Sequence, residues 1–269
     1  MPSKERNAMS ETRHISVTGL TKIFSVAKAS IPAFENLSFN ISAGEFFCVV
    51  GPSGCGKSTL LRTLAGLEKP SNGSIRFTDQ CGDIVTPLIG MVFQEHGLFP
   101  WMTLQKNIEF LVKSNPRLSA ESAAISQQYL QKIGLSAFAT CYPHQVSGGM
   151  RQRVSVARSF AYDPDILLMD EPFVFLDSQA RWQLQQMLLQ IWQETGKTVI
   201  FVTHDIDEAV CLADRIMVLT AHPGKLKAIT SVNFPRPRDV LTLKRDHRYG
   251  ELVSDLVTTL KEESFLQSV

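Results

Sequence analysis

Gly51-Pro52-Ser53-Gly54-Cys55-Gly56-Lys57-Ser58-Thr59 fits the pattern G-x-x-x-x-G-K-[ST] of a phosphate-binding loop. Before it, Glu45-Phe46-Phe47-Cys48-Val49-Val50 is an apolar run of strand length and β-rich composition. After it, Leu60-Leu61-Arg62-Thr63-Leu64-Ala65-Gly66 has a good helix composition. Strand, loop and helix are the context this chemistry needs. Glycines let the backbone curl around phosphate oxygens so that N–H groups converge on the anion. The helix that begins there adds the positive end of its dipole. Lys57 is placed to reach a nucleotide's outer phosphates and the Ser58 hydroxyl to ligate Mg2+.

The remaining composition bounds the class. A chain of 269 residues suits one α/β unit with an inserted subdomain. A formal net charge of +1 provides no basic field, so no nucleic-acid partner is expected. The five cysteines are scattered with no C-x-x-C pair, which favours free thiols in a reducing compartment over a disulfide framework. The first 14 residues are polar and charged, unlike a signal peptide. No stretch approaches the roughly 18 apolar residues that span a bilayer. A soluble protein is expected, one that would work at a membrane only through another subunit.

Residues 1–12 read as a disordered leader. Strand-like text follows at residues 14–20 and 22–24, and residues 33–41 alternate as a half-buried antiparallel strand should. Residues 74–77 and 89–94 read as further strands. The block 102–160 is helical in character and interrupts the α/β pattern. The continuous apolar runs at 165–170, 198–203 and 215–220 are the mark of buried parallel strands, with helices expected at 178–195 and 206–213. A core domain over 13–234 is expected, then a helical tail over 235–269 with its helix at 240–260.

In open parallel sheets the ligand site lies beyond the carboxyl ends of the strands. Asp170-Glu171 closes one apolar run and so falls beside the phosphate loop. Asp170 suits the Mg2+ shell, and Glu171 is placed to polarise an attacking water.

Val146-Ser147-Gly148-Gly149-Met150 closely resembles the signature of ATP-binding cassette (ABC) ATPases, usually written LSGGQ. Ser-Gly-Gly at a helix start is a second anion site, and one nucleotide does not need two. The resemblance spans about residues 14–225 and implies a phosphate-loop NTPase fold. Its parts would be a RecA-like parallel-sheet core, an N-terminal antiparallel β part and an inserted α-helical subdomain. It implies that Ser147, Gly148 and Gly149 of one subunit cap ATP held by the loop of another. Gln94 resembles the Q-loop glutamine at Mg2+ or water, and His204 the switch histidine at the γ-phosphate. Asp177 resembles the D-loop aspartate at the dimer contact, and Phe24 the aromatic that stacks on adenine.

Two departures stand out. Val146 and Met150 replace the commoner Leu and Gln. Val174 and Phe175 replace two small residues before Leu176-Asp177, where bulk at a closing interface would alter dimer packing or hydrolysis rate. Pro100-Trp101, the stretch from His96 to Ile108, and Pro235-Arg236-Pro237-Arg238 look like the ATPase subunits of nitrate, sulfonate and taurine importers. That likeness implies a homodimeric, peripheral protein on the cytoplasmic face of the membrane. Its partners would be permease subunits and, indirectly, a solute-binding protein. Phe99 and Trp101 are open to two readings, docking residues for the permease or subdomain core. A non-transport ABC ATPase and an ATP sensor with weak hydrolysis are the alternatives. The first usually carries coiled-coil insertions or two cassettes, and Glu171 with His204 argues against the second.

Overall fold

Every residue of β3 (Phe46–Val50) is buried, and its alternation divides the core in two. Phe46, Cys48 and Val50 point to one face of a sheet, Phe47 and Val49 to the other. A strand covered on both faces must be apolar throughout, which is why it reads as a continuous run. The computed structural model describes residues 14–26, 29–95 and 97–265. The expected leader and His96 lie outside the described residues.

The sheet has the order β5 (Ile89–Val92), β6 (Ile166–Asp170), β7 (Thr198–Thr203), β3, β8 (Arg215–Leu219), β9 (Leu226–Ser231). All neighbours pair in parallel except β8 with β9. On one face lies an antiparallel sheet of order β2 (Ala29–Ile41), β1 (His14–Val26), β4 (Asn72–Thr78). Ile15, Val17, Leu37 and Phe39 of that sheet pack with Leu60, Leu61 and Leu64 of α1 (Lys57–Leu64) against Val49 and Val202. The other face carries α2 (Leu104–Ser114), α3 (Ser122–Lys132), α4 (Gly148–Ala161), α5 (Ser178–Thr195) and α6 (Ile206–Leu212). The first three make up the helical block, and its Leu104, Leu130 and Phe160 belong to the same core as Met169 and Phe201.

α5 has the bounds read from the sequence. The Asp177 carboxylate accepts from the Ala180 N–H at 2.9 Å and caps its start, and Gly196 ends it. Three differences are informative. The two short runs at 14–24 form one strand, β1, bent by register shifts between Val17 and Ile23. β9 was not anticipated, because its half-exposed Leu226-Lys227-Ala228-Ile229-Thr230-Ser231 carries little apolar pattern. The single helix expected at 240–260 is two, α7 (Val240–Leu243) and α8 (His247–Phe265). Asp246 makes the break, its carboxylate accepting from the Arg248 N–H at 3.0 Å.

The C-terminal segment is tied down rather than loose. Val240, Leu243, Tyr249 and Leu256 are buried in the main core. The Arg238 guanidinium, buried beneath them, donates to the carbonyls of Ala213 at 2.6 Å and Val232 at 3.0 Å. The Tyr249 hydroxyl donates to the Asp207 carboxylate on α6.

Candidate functional site

Because the central strands run parallel, their carboxyl ends open along one edge. There β3 enters the phosphate loop, β6 ends at Asp170-Glu171 and β7 leads to His204. β5 leads to Gln94, and β8 to the turn at residues 220–225.

The Ser58 hydroxyl donates to Asp170 Oδ1 at 2.8 Å, so a hydroxyl and a carboxylate from different elements converge. Burial raises the Asp170 pKa, and the Ser58 hydrogen bond pulls it back. The Lys57 ammonium is buried and donates to the carbonyls of Gly51 at 2.7 Å and Pro52 at 2.9 Å. Glu171 has a backbone φ of +45°, a left-handed conformation that non-glycine residues rarely adopt. It is held there by donation from its N–H to the Val202 carbonyl at 3.0 Å. Its Oε2 lies 3.1 Å from His204 Nδ1, so the structure brings these two expected catalytic groups together.

The loop's curl is enforced by close backbone packing. Gly56 has φ +91°, and a Cβ there would lie 2.6 Å from the Ala33 carbonyl oxygen. A Cβ at Gly224 would lie 2.1 Å from the Cys55 carbonyl oxygen, so the 220–225 turn props the loop from behind. A cleft of about 360 Å³ opens in front, with Ser53, Gly54, Gly56, Lys57, Ser58 and Thr59 on its floor. Phe24 and Glu171 are in its walls. The Lys22 ammonium sits 4.7 Å from the Phe24 ring centroid. Within the loop, Gly51 and Cys55 are buried and Pro52 is half-buried. A glycine-rich cradle, a buried ammonium and a serine–aspartate pair fit a nucleotide with Mg2+.

Ile31, Ala33 and His222 also line this cleft and were not anticipated. Ala33 looked like any strand residue. His222 lies in the hairpin between β8 and β9, and only that pairing carries it to the loop. Gln94 stands exposed beyond β5, at the correct edge but outside the lining of the cleft.

Ser147, Gly148 and Gly149 are elsewhere. The Ser147 hydroxyl accepts from the Met150 N–H at 3.2 Å and caps α4. With Asp177 and Phe175 these residues line a separate hollow of about 310 Å³ that no phosphate-loop residue borders. One side chain links the Asp177 segment to the His204 loop: Arg181 donates to the Leu176 carbonyl at 3.4 Å and to Asp205 at 3.2 Å. It also lies 3.6 Å from Glu208, which is buried and accepts from the Thr203 hydroxyl at 2.6 Å. Burial outweighs the favourable contacts and raises the Glu208 pKa to about 7.

Phe99, Trp101 and Phe110 form a surface cluster. Phe99 lies 5.5 Å from Trp101 and 5.1 Å from Phe110 between ring centroids. Trp101 is 68% exposed, so the core reading of this residue falls away. Wholly buried Asn107 holds their loop, accepting from the Phe99 N–H at 2.7 Å and donating to the Met102 carbonyl at 3.1 Å.

Residues 34–174 match the ABC transporter family. The nitrate import ATP-binding protein NrtD of Synechocystis is 42% identical over 252 residues, covering 91% of this chain and 95% of that one. The aliphatic sulfonates import ATP-binding protein SsuB of Bacillus cereus is 41% identical over 224 residues, covering 83% and 88%. Among solved structures, a dimeric ATP-binding cassette in a post-hydrolysis state, bound to ADP and Pi, is similar with a TM-score of 0.71 at 32% identity. That match covers 82% of this chain and all 100% of the other. The chain belongs to the ABC transporter family, as one of its ATPase cassettes.

Proposed function

We propose that two copies of this chain sandwich two ATP molecules and that their closure powers a membrane permease importing a small anion. The observation that carries this is that the phosphate loop and residues 147–149, each a helix start suited to an anion, line separate hollows of one chain. Neither encloses a nucleotide alone, and pairing two copies lets each supply what the other needs.

In this reading residues 51–59 wrap the phosphates, Lys57 neutralises the outer ones and Phe24 stacks on adenine. Ser58 and Asp170 hold Mg2+, with Gln94 joining them as the site closes. When bound, Mg2+ would offset the charge that develops on the transferred phosphoryl group. Glu171 orients and polarises the attacking water, and His204 holds its carboxylate from the side. Ser147, Gly148 and Gly149 of the second copy donate N–H groups to the phosphates, and Asp177 contacts across the interface.

Phe99, Trp101 and Phe110 form the docking patch for the permease, which alone spans the membrane. Among the described residues of this chain no helix is long and apolar enough to cross a bilayer. The protein would sit on the cytoplasmic face, with a solute-binding protein acting indirectly. Relatives named for nitrate, aliphatic sulfonates and bicarbonate support a small anionic cargo, such as nitrate, a sulfonate or taurine.

Replacing Ser147 with Arg tests the shared site. The variant is expected to bind ATP as a monomer but to lose ATP-driven dimerisation and turnover. Undiminished dimerisation and hydrolysis would overturn this arrangement.

A further inference from the structure

α8 runs alongside the phosphate loop. Between them lies a recess of about 310 Å³ lined by Pro52, Ser53, His204, Ile206, Val257 and Leu260. Its α8 wall is apolar, and exposed Lys261 also borders it. Burial of Tyr249 and Leu256, with the Tyr249–Asp207 hydrogen bond, anchors the helix that forms this wall.

The signature side carries a matching shape. Phe175 is 68% exposed, although its neighbours Phe173 and Leu176 are buried. It borders the same hollow as Ser147, Gly148 and Gly149, with exposed Asp177 beside it. A ring held out in water on a face that closes against another copy gains by burial there.

We infer that Phe175 of one copy seats in the recess between α8 and the phosphate loop of a second copy, with Asp177 approaching Lys261. This rests on the shared-site reading, which sets residues 147–149 of one copy on the phosphate loop of the other. Phe175 adjoins the first of those stretches, and the recess adjoins the second. Ring meets Val257 and Leu260, and carboxylate meets ammonium, so shape and charge agree. The contact occurs twice by the two-fold relation of the copies. It makes α8 part of the closing interface and gives the bulky D-loop residue a positive role.

The test uses the full chain with Cys81 and Cys141 changed to Ser, since Cys48, Cys55 and Cys211 are buried. Phe175→Cys and Leu260→Cys are combined in that background, and disulfide formation is followed under a mild oxidant. A covalent dimer is expected with a non-hydrolysable ATP analogue and not without it, while either single variant stays monomeric on a non-reducing gel. Phe175→Ala, in the otherwise native chain, is expected to weaken nucleotide-dependent dimerisation about tenfold by sedimentation. Its melting temperature should not change, because the ring is exposed. If the parent dimerises with nucleotide but the paired cysteines do not cross-link, this contact is wrong and the shared site stands. If the parent does not dimerise at all, both fall together.

Discussion

The phosphate loop lies at the end of a buried strand, whereas Ser147, Gly148 and Gly149 lie at the start of α4 in the helical block. Gly51, Cys55 and Lys57 are buried, and the loop is pressed between the Ala33 and Gly224 backbones. Ser147 is exposed and has its helix-capping hydrogen bond to Met150. Both are glycine-containing helix starts suited to an anion, but only the first combines a buried ammonium with a carboxylate pair and a histidine, whereas the second has Arg153 and Asp177 beside it. The phosphate-loop face is preorganised by its own chain. The signature face is a single wall, and in the proposed dimer another copy supplies the rest.

The contrast is broken most directly at Glu171. Glu171→Gln keeps the shape but removes the proposed base, so turnover is expected to fall about a hundredfold or more while nucleotide binding persists. Phosphate release and nucleotide-binding fluorescence read the two separately. Unchanged turnover would move the chemistry away from this face.

Gly56→Ala probes the preorganisation. The added Cβ meets the Ala33 carbonyl at 2.6 Å in a left-handed conformation. A loss of about 2 kcal/mol in urea unfolding is expected, together with weaker nucleotide binding. The matching change Ser147→Ala removes an exposed cap and should cost about 1 kcal/mol. Equal losses at the two sites would erase the distinction between a braced face and an open one.

Glu208 tests the link between the faces through Arg181 and the His204 loop. With its pKa raised by burial to about 7 from 4.5, the folded protein holds a proton that the unfolded chain releases earlier. Its contribution to stability is full below its unfolded pKa and is lost as pH rises through about 7. The loss is on the order of 3 kcal/mol. Melting temperatures of Glu208→Gln should therefore decline less than wild type between about pH 5 and pH 8. A parallel decline in both proteins would remove Glu208 as the source.

The smallest effect on the isolated molecule is expected at Trp101, which is 68% exposed. Trp101→Ala should change stability by less than about 0.5 kcal/mol and leave the ATPase activity of the isolated chain intact. Co-purification of the permease subunits should fall. A loss of intrinsic ATPase activity would place this aromatic cluster in the site itself.

Much of this was legible in one dimension because it depends on neighbours in sequence. Gly51 to Thr59 declares a phosphate cradle through glycine spacing and a following helix, and Asp170-Glu171 declares itself by ending an apolar run. Ser178–Thr195 could be bounded to the residue because its cap and its stop are both local. β9, His222 and the break at Asp246 escaped for the opposite reason. β9 is half-exposed and carries little pattern, His222 reaches the cleft by strand pairing, and a single side-chain cap splits an otherwise helical tail.

Local character, then, could be read directly: which residues form a glycine-rich loop suited to phosphate, which carry a carboxylate and which start a helix. Spacing and composition encode those properties residue by residue. Folding alone decided which of them meet. It placed Ser58 against Asp170 and Glu171 against His204, kept Ser147 apart from both, and brought α8 beside the phosphate loop. Those contacts join residues tens to hundreds of positions apart. They exist because parallel strands share one edge and because apolar faces must be covered, conditions that no short stretch of sequence contains.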